Sequence, residues 1–108
     1  MKIGTLVVKD SHGYEYDFGL YSKDTQFKNV SAIYIFVKLQ NGEYDPLYIG
    51  QSTELGTRLS NHEKKAELVR AGFTHYLVRQ FDESQLDEKE KSFIQQYSPE
   101  FNTQHNTL

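Results

Sequence analysis

Three sets of residues in this chain carry polar or ionisable groups at positions that a packing pattern does not explain. Glu90 lies on an apolar helical stripe, Leu86, Glu90, Phe93, Ile94 and Tyr97. An unpaired carboxylate is costly to bury and its pKa rises instead. By pattern alone, Glu90 reads either as a stripe-edge residue paired with a lysine or as a carboxylate held inward for a hard cation. Arg58 and His62 are four residues apart, so on a continuous helix their side chains stand one above the other. They read either as a solvated arginine beside a core-edge histidine, or as a cation and a hydrogen-bonding or proton-transfer group aimed at one phosphate. The third set is Tyr34 and Tyr48, one in each apolar run of "SAIYIFVKLQNGEYDPLYIGQS". Tyrosines in strands usually pack, and what matters here is whether the two share a face.

The elements that hold these residues follow from periodicity. Ser31–Leu39 alternates, with Ile33, Ile35, Val37 and Leu39 on one face and Ala32, Tyr34 and Phe36 on the other. Leu47–Gln51 is the returning strand. Asn41-Gly42 suggests a two-residue turn, which pairs residues whose numbers sum to 83. That register puts Ile33, Ile35 and Val37 on the face of Tyr48 rather than with Leu47 and Ile49. The apolar pattern prefers an even sum, reached with a longer loop ending near Asp45-Pro46. In that reading Tyr34 and Tyr48 share a face.

Leu55, Leu59, His62, Ala66 and Val69 recur at helical spacing and predict one helix over Glu54–Ala71, ended by Gly72. A strand follows over Thr74–Phe81. Ser84 and Asp87 resemble a capping box for a second helix over Gln85–Tyr97, stopped by Pro99. The tail after Asn102 is polar. Thr5–Lys9 and Tyr14–Phe18 read as a hairpin, and Gly19–Asn29 as a connection. The expected fold is α+β: a small, mainly antiparallel central sheet flanked by helices, with residues 1–30 as an N-terminal β-hairpin extension to a 31–108 domain.

Composition narrows the classes. The chain has 108 residues, enough for one core, and no cysteine, which removes disulfides and thiolate metal sites. No apolar run is long enough to span a membrane, and the start lacks the apolar segment of a secretory signal, so the expected location is cytoplasmic. Net charge is −3. It is divided as −1 over residues 1–53, +2 over 54–81 and −4 over 82–108. A polyanion would be met mainly by the middle segment, without the basic excess of a stand-alone nucleic-acid binder.

Taken together, these residues resemble the GIY-YIG nuclease family over about Ser31 to Asn102. Its two tripeptides correspond to Ala32-Ile33-Tyr34 and Tyr48-Ile49-Gly50, the first departing at Ala32 where the family usually has glycine. Arg58 in "LGTRLSNH", His62 one turn later, Glu90 in "EKEKSFIQQYSP" and Asn102 in "SPEFN" complete the order. Gln51 and Ser52 stand where some members carry a lysine. The resemblance implies a DNA endonuclease that hydrolyses a phosphodiester bond with one divalent metal, Mg²⁺ or Mn²⁺. It implies Glu90 as the metal ligand, Arg58 offsetting charge on the phosphate, and Tyr34 as general base helped by His62. Tyr48 would orient water or phosphate, and Asn102 would fix the Glu90 end of the site or tie down the last turn. The alternative is a GIY-YIG-shaped module that binds nucleic acid or a partner subunit without cleaving. The charge balance adds the expectation of a homodimer or a partner protein that supplies target recognition.

Overall fold

The structure is a computed structural model, and it describes residues 1–103. The polar residues 104–108 of the expected tail lie outside the described residues. Five strands, β1 (Lys2–Lys9), β2 (Glu15–Ser22), β3 (Ala32–Gln40), β4 (Glu43–Ser52) and β5 (His75–Gln80), form one sheet in the order β1-β2-β5-β3-β4. Every neighbouring pair is antiparallel. The helices are α1 (Leu55–Ser60), α2 (Lys65–Arg70), α3 (Leu86–Tyr97) and α4 (Glu100–Thr103). The fold is therefore α+β with a five-stranded antiparallel sheet. No helix among the described residues is long and apolar enough to cross a membrane.

Alternation along β3 sorts the core into two layers. Ala32, Tyr34 and Phe36 point to a cluster with Leu55, Leu59, Leu68, Phe73 and Phe101. Ile33, Ile35 and Val37 point the other way, to Ile49, Leu86 and Phe93. Thus α1, α2 and α4 cover one face of the sheet and α3 the other. The N-terminal hairpin extends the sheet rather than capping it, because β2 pairs with β5 from Gly19 to Ser22. Those four residues continue the strand, where a connection was expected. Phe18 and Leu20 of β2 join the α3 layer. The hairpin turn is closed by the buried Asp10, whose carboxylate accepts from the backbone N–H of His12 and Tyr14.

The β3–β4 connection corrects the expected long loop while keeping its consequence. Asn41 and Gly42 form a tight turn with φ of 55° and 80°, the left-handed pair that a two-residue hairpin demands. Pairing begins as Gln40 with Glu43 and runs to Val37 with Pro46. A bulge then inserts Leu47, and beyond it Phe36 faces Tyr48, Ile35 faces Ile49 and Tyr34 faces Gly50. The bulge shifts the sum of paired numbers from odd to even, so the turn signal holds before it and the even register beyond it; Ile49 joins the face of Ile33 as expected, whereas Leu47, expected there too, is the bulged residue and packs in the Tyr34 layer instead. Pro46 is tolerated because β4 is an edge strand.

The helix expected over Glu54–Ala71 is two helices. At its break, Ser60 Oγ donates to the Gly56 carbonyl and Asn61 Nδ2 to that of Thr57. Such back-bonding competes with helix continuation. The break resets the phase. Leu68 becomes the buried residue of α2, while Ala66 and Val69, expected on the stripe, are exposed. The expected capping box is also absent: no side chain caps α3, which grows out of a short 3₁₀ turn over Glu83–Gln85. The end of α3 follows the expectation, with Ser98 in the left-handed region just before Pro99.

Candidate functional site

Tyr34 is the centre of the site. It is 1% exposed, in the middle of β3. Its ring lies across Gly50, the residue it faces on β4, and a Cβ at Gly50 would overlap the phenol itself. The glycine of the second tripeptide is thus required by the tyrosine of the first. Ala32, in the place of the first glycine, is fully buried and accommodated.

Two nitrogen donors converge on Tyr34 Oη. Arg58 Nε lies 3.3 Å away and His62 Nε2 3.0 Å away. His62 is not on the helix of Arg58, as the periodicity suggested, but in the break after α1. There its Nδ1 accepts the Lys64 backbone N–H at 3.1 Å. An Nδ1 that accepts leaves the proton on Nε2, so the neutral ring donates to Tyr34. Burial, with Arg58 nearby, lowers the His62 pKa from 6.5 to about 4. His62 is therefore a hydrogen-bond donor at neutral pH. Its ring is enclosed by Tyr34, Phe36 and Tyr48, with centroids 5.6, 5.1 and 5.0 Å away.

Tyr48 lies beside Tyr34, ring centroids 6.3 Å apart, on the same face. Burial raises both phenol pKa values. For Tyr34 the neighbouring Tyr48 adds to this and the Arg58 hydrogen bond opposes it, and for Tyr48 the Arg58 charge opposes it. Both hydroxyls are thus protonated at neutral pH in the chain by itself. On its outer side Arg58 pairs with Glu63 at 3.2 Å, an exposed ion pair that sets the guanidinium's orientation more than its stability.

Glu90 sits on α3, across the sheet from the Tyr34 layer, at the end of β4. Among the described residues no lysine pairs with it. Instead Gln51 Nε2 donates to Glu90 at 3.0 Å and to Asp87, one turn earlier, at 2.7 Å. Burial raises the Glu90 pKa, against the Gln51 hydrogen bond, with Asp87 raising it and Arg58 lowering it further. Its charge reaches both phenols, raising each. Asn102 stands apart from these groups. Its side-chain amide accepts from the Ile49 N–H at 2.7 Å and donates to the Ile49 carbonyl at 2.8 Å. It thereby satisfies the outer edge of β4 and holds Tyr48-Ile49-Gly50 from outside.

Four of the six sequence-predicted residues, Tyr34, Tyr48, Arg58 and His62, are therefore in one cluster. Glu90 adjoins it electrostatically, and Asn102 fixes its frame. Periodicity missed two neighbours. Gln51 bridges the two carboxylates. Lys64 is only 6% exposed and its ammonium lies 6.0 Å from the Tyr48 ring centroid. Both belong to the site through a bulge and a helix break, which leave no periodic trace.

Among the described residues no group of three or more His, Asp or Glu is arranged to hold a metal. The donor set present, one half-buried carboxylate with a second nearby, suits a hard cation that keeps most of its waters and does not suit zinc. No protein-family model matches the chain, and no curated protein or solved structure matches it.

Proposed function

We propose that the chain is a GIY-YIG-type endonuclease that hydrolyses a phosphodiester bond of DNA with a divalent cation at Glu90. The observation that supports this best is the phenol of Tyr34: two N–H groups from separate elements converge on it, over a glycine that its ring requires. A tyrosine that merely packs needs one partner. Two donors on one phenolic oxygen stabilise negative charge there.

In this reading Arg58 meets the phosphate, and its charge counters the charge that grows on the phosphoryl oxygens. His62 donates to Tyr34 and fixes the ring. Tyr34 Oη is the proton acceptor toward water, and Tyr48 orients water or phosphate. Glu90 would hold Mg²⁺ or Mn²⁺, which would supply Lewis-acid polarisation of a phosphoryl oxygen and charge stabilisation at the leaving oxygen. Neutralising Glu90 also removes one of the influences that keep Tyr34 protonated, which couples the base to an occupied site. The second reading is a module of the same shape that binds without cleaving. The raised pKa of Tyr34 favours it.

Nicking of supercoiled plasmid with and without Mg²⁺ separates the two. The wild-type chain is expected to nick only with the cation. Glu90→Gln is expected to abolish nicking while leaving thermal stability unchanged or improved, because a desolvated charge is removed. Full nicking by Glu90→Gln would reject the assignment. Retained DNA binding by a wild-type chain that never nicks would establish the second reading.

A further inference from the structure

Helix α1 carries Arg58 but is poorly equipped to hold it. It has six residues, and a helix of under two turns is not stable on its own propensity. Glu54, at its start, makes no side-chain cap. The N–H groups of its first turn are met instead by the segment between β2 and β3, which lies outside the GIY-YIG resemblance. The Leu55 N–H donates to the Val30 carbonyl at 3.2 Å. The Thr57 N–H donates to Asn29 Oδ1 at 2.8 Å, and Asn29 Nδ2 donates back to Thr57 Oγ1 at 3.2 Å. Asn29 therefore does the work of an N-cap residue from 28 positions away in the chain.

The segment is itself anchored. The Phe27 ring packs edge-on against Tyr21 of β2 and Tyr76 of β5, with centroids 5.0 and 5.5 Å away. The Phe27 carbonyl lies so close to Gly56 that a Cβ there would overlap its oxygen. Thus α1 rests on the segment at Gly56 and is tied to it by Asn29. Arg58 follows Thr57 directly, and its N–H bonds to the Glu54 carbonyl at 3.0 Å. From that turn its Nε reaches Tyr34 Oη at 3.3 Å. This is longer than most such bonds, and a shift of α1 by roughly half an ångström breaks it.

We infer that Asn29 is a positioning residue of the site: through Thr57 it fixes the turn of α1 that aims the Arg58 guanidinium at Tyr34 Oη. The consequence for cleavage rests on the nuclease reading, and the placement of Arg58 does not. Asn29 itself is exposed, so it acts on the chemistry only by way of α1. Its loss is felt in the rate more than in binding. A misdirected guanidinium still offers its charge to a phosphate, but it no longer meets the charge that grows during reaction in the required geometry.

Two measurements test this. The first follows hydrogen exchange at Arg58 Nε–H by ¹H–¹⁵N NMR, in EDTA and without DNA. Asn29→Ala is expected to speed that exchange roughly tenfold. Asn29→Asp is expected to restore the wild-type protection, because one carboxylate oxygen still accepts from the Thr57 N–H and the other accepts from the Thr57 hydroxyl. The second compares single-turnover nicking in Mg²⁺ with DNA affinity in EDTA. Asn29→Ala is expected to lower the rate about tenfold and the affinity by less than about twofold, with the rate recovered in Asn29→Asp. If Asn29→Ala does not fold, Asn29→Ser, whose oxygen stops one bond short of the Thr57 N–H, carries the same expectations. Arg58 exchange as slow as wild type in the alanine variant would overturn the proposal, as would an aspartate variant as impaired as the alanine one. Faster Arg58 exchange in a chain that never nicks would defeat the nuclease and keep the role of Asn29. Nicking by a chain whose Arg58 exchange ignores Asn29→Ala would defeat that role and keep the nuclease.

Discussion

Acidification should loosen this protein through one histidine. His62 is buried among three aromatic rings, with Nδ1 accepting and Nε2 donating. Protonation puts a hydrogen on Nδ1, breaks the bond from Lys64 N–H, and places a cation near Arg58. In the unfolded chain His62 titrates near 6.5, and in the fold near 4. The folded value is the lower one, so the fold binds fewer protons in between. The stability held by neutral His62 is fully present above pH 6.5 and is lost as pH falls toward 4. Each pKa unit is worth about 1.4 kcal/mol, so the loss amounts to about 3 kcal/mol. For a domain of this size that lowers Tm by roughly 10–20 °C. The assay is urea unfolding at a series of pH values, for the wild type and His62→Gln. Glutamine keeps a donor toward Tyr34 and removes the titration. The variant should be less stable at pH 7, and its stability should fall less between pH 7 and 4, by about 3 kcal/mol. Parallel pH profiles for the two proteins would refute the placement of His62 as a neutral, desolvated donor.

Three further outcomes follow from the same geometry. Gly50→Ala should destabilise by about 1–3 kcal/mol through overpacking against Tyr34, and Tyr34→Phe should not rescue it, since the ring carbon is overlapped too; denaturant midpoints of the two single variants and the double variant check this. Asn102→Ala should cost about 1–3 kcal/mol by leaving the Ile49 N–H and carbonyl without their partner, and hydrogen exchange at Ile49 should rise with it. Arg58→Ala should lower the single-turnover cleavage rate far more than it weakens DNA affinity, whereas an equal loss in both would make Arg58 a simple phosphate anchor.

Much of the frame was legible in the sequence because it is local and periodic. Alternation along Ala32–Val37 sorts its residues to the two faces they occupy, and the preference of the apolar pattern for an even register put Tyr34 beside Tyr48. The α3 stripe and its stop at Pro99 follow from composition and spacing alone. The six ordered positions of the GIY-YIG resemblance were also there to read, although what they do was not.

The rest required tertiary structure, for reasons of range. A bulge at Leu47 reconciles two local signals that conflict in the sequence, and only the packing of both faces selects it. The break after Ser60 comes from side chains bonding back to their own helix, which has no period, and it moves burial from Val69 to Leu68. Asn102 acts at Ile49, more than fifty residues away, because β4 is an edge strand, and strand order is a property of the whole sheet. The pairing of β2 with β5 likewise brings the hairpin to Arg79, whose guanidinium donates to the Asp17 carbonyl. Local chemistry decides which elements form and which face each residue takes. Which elements become neighbours depends on how the apolar faces are buried together, and that is where the site and its surroundings are assembled.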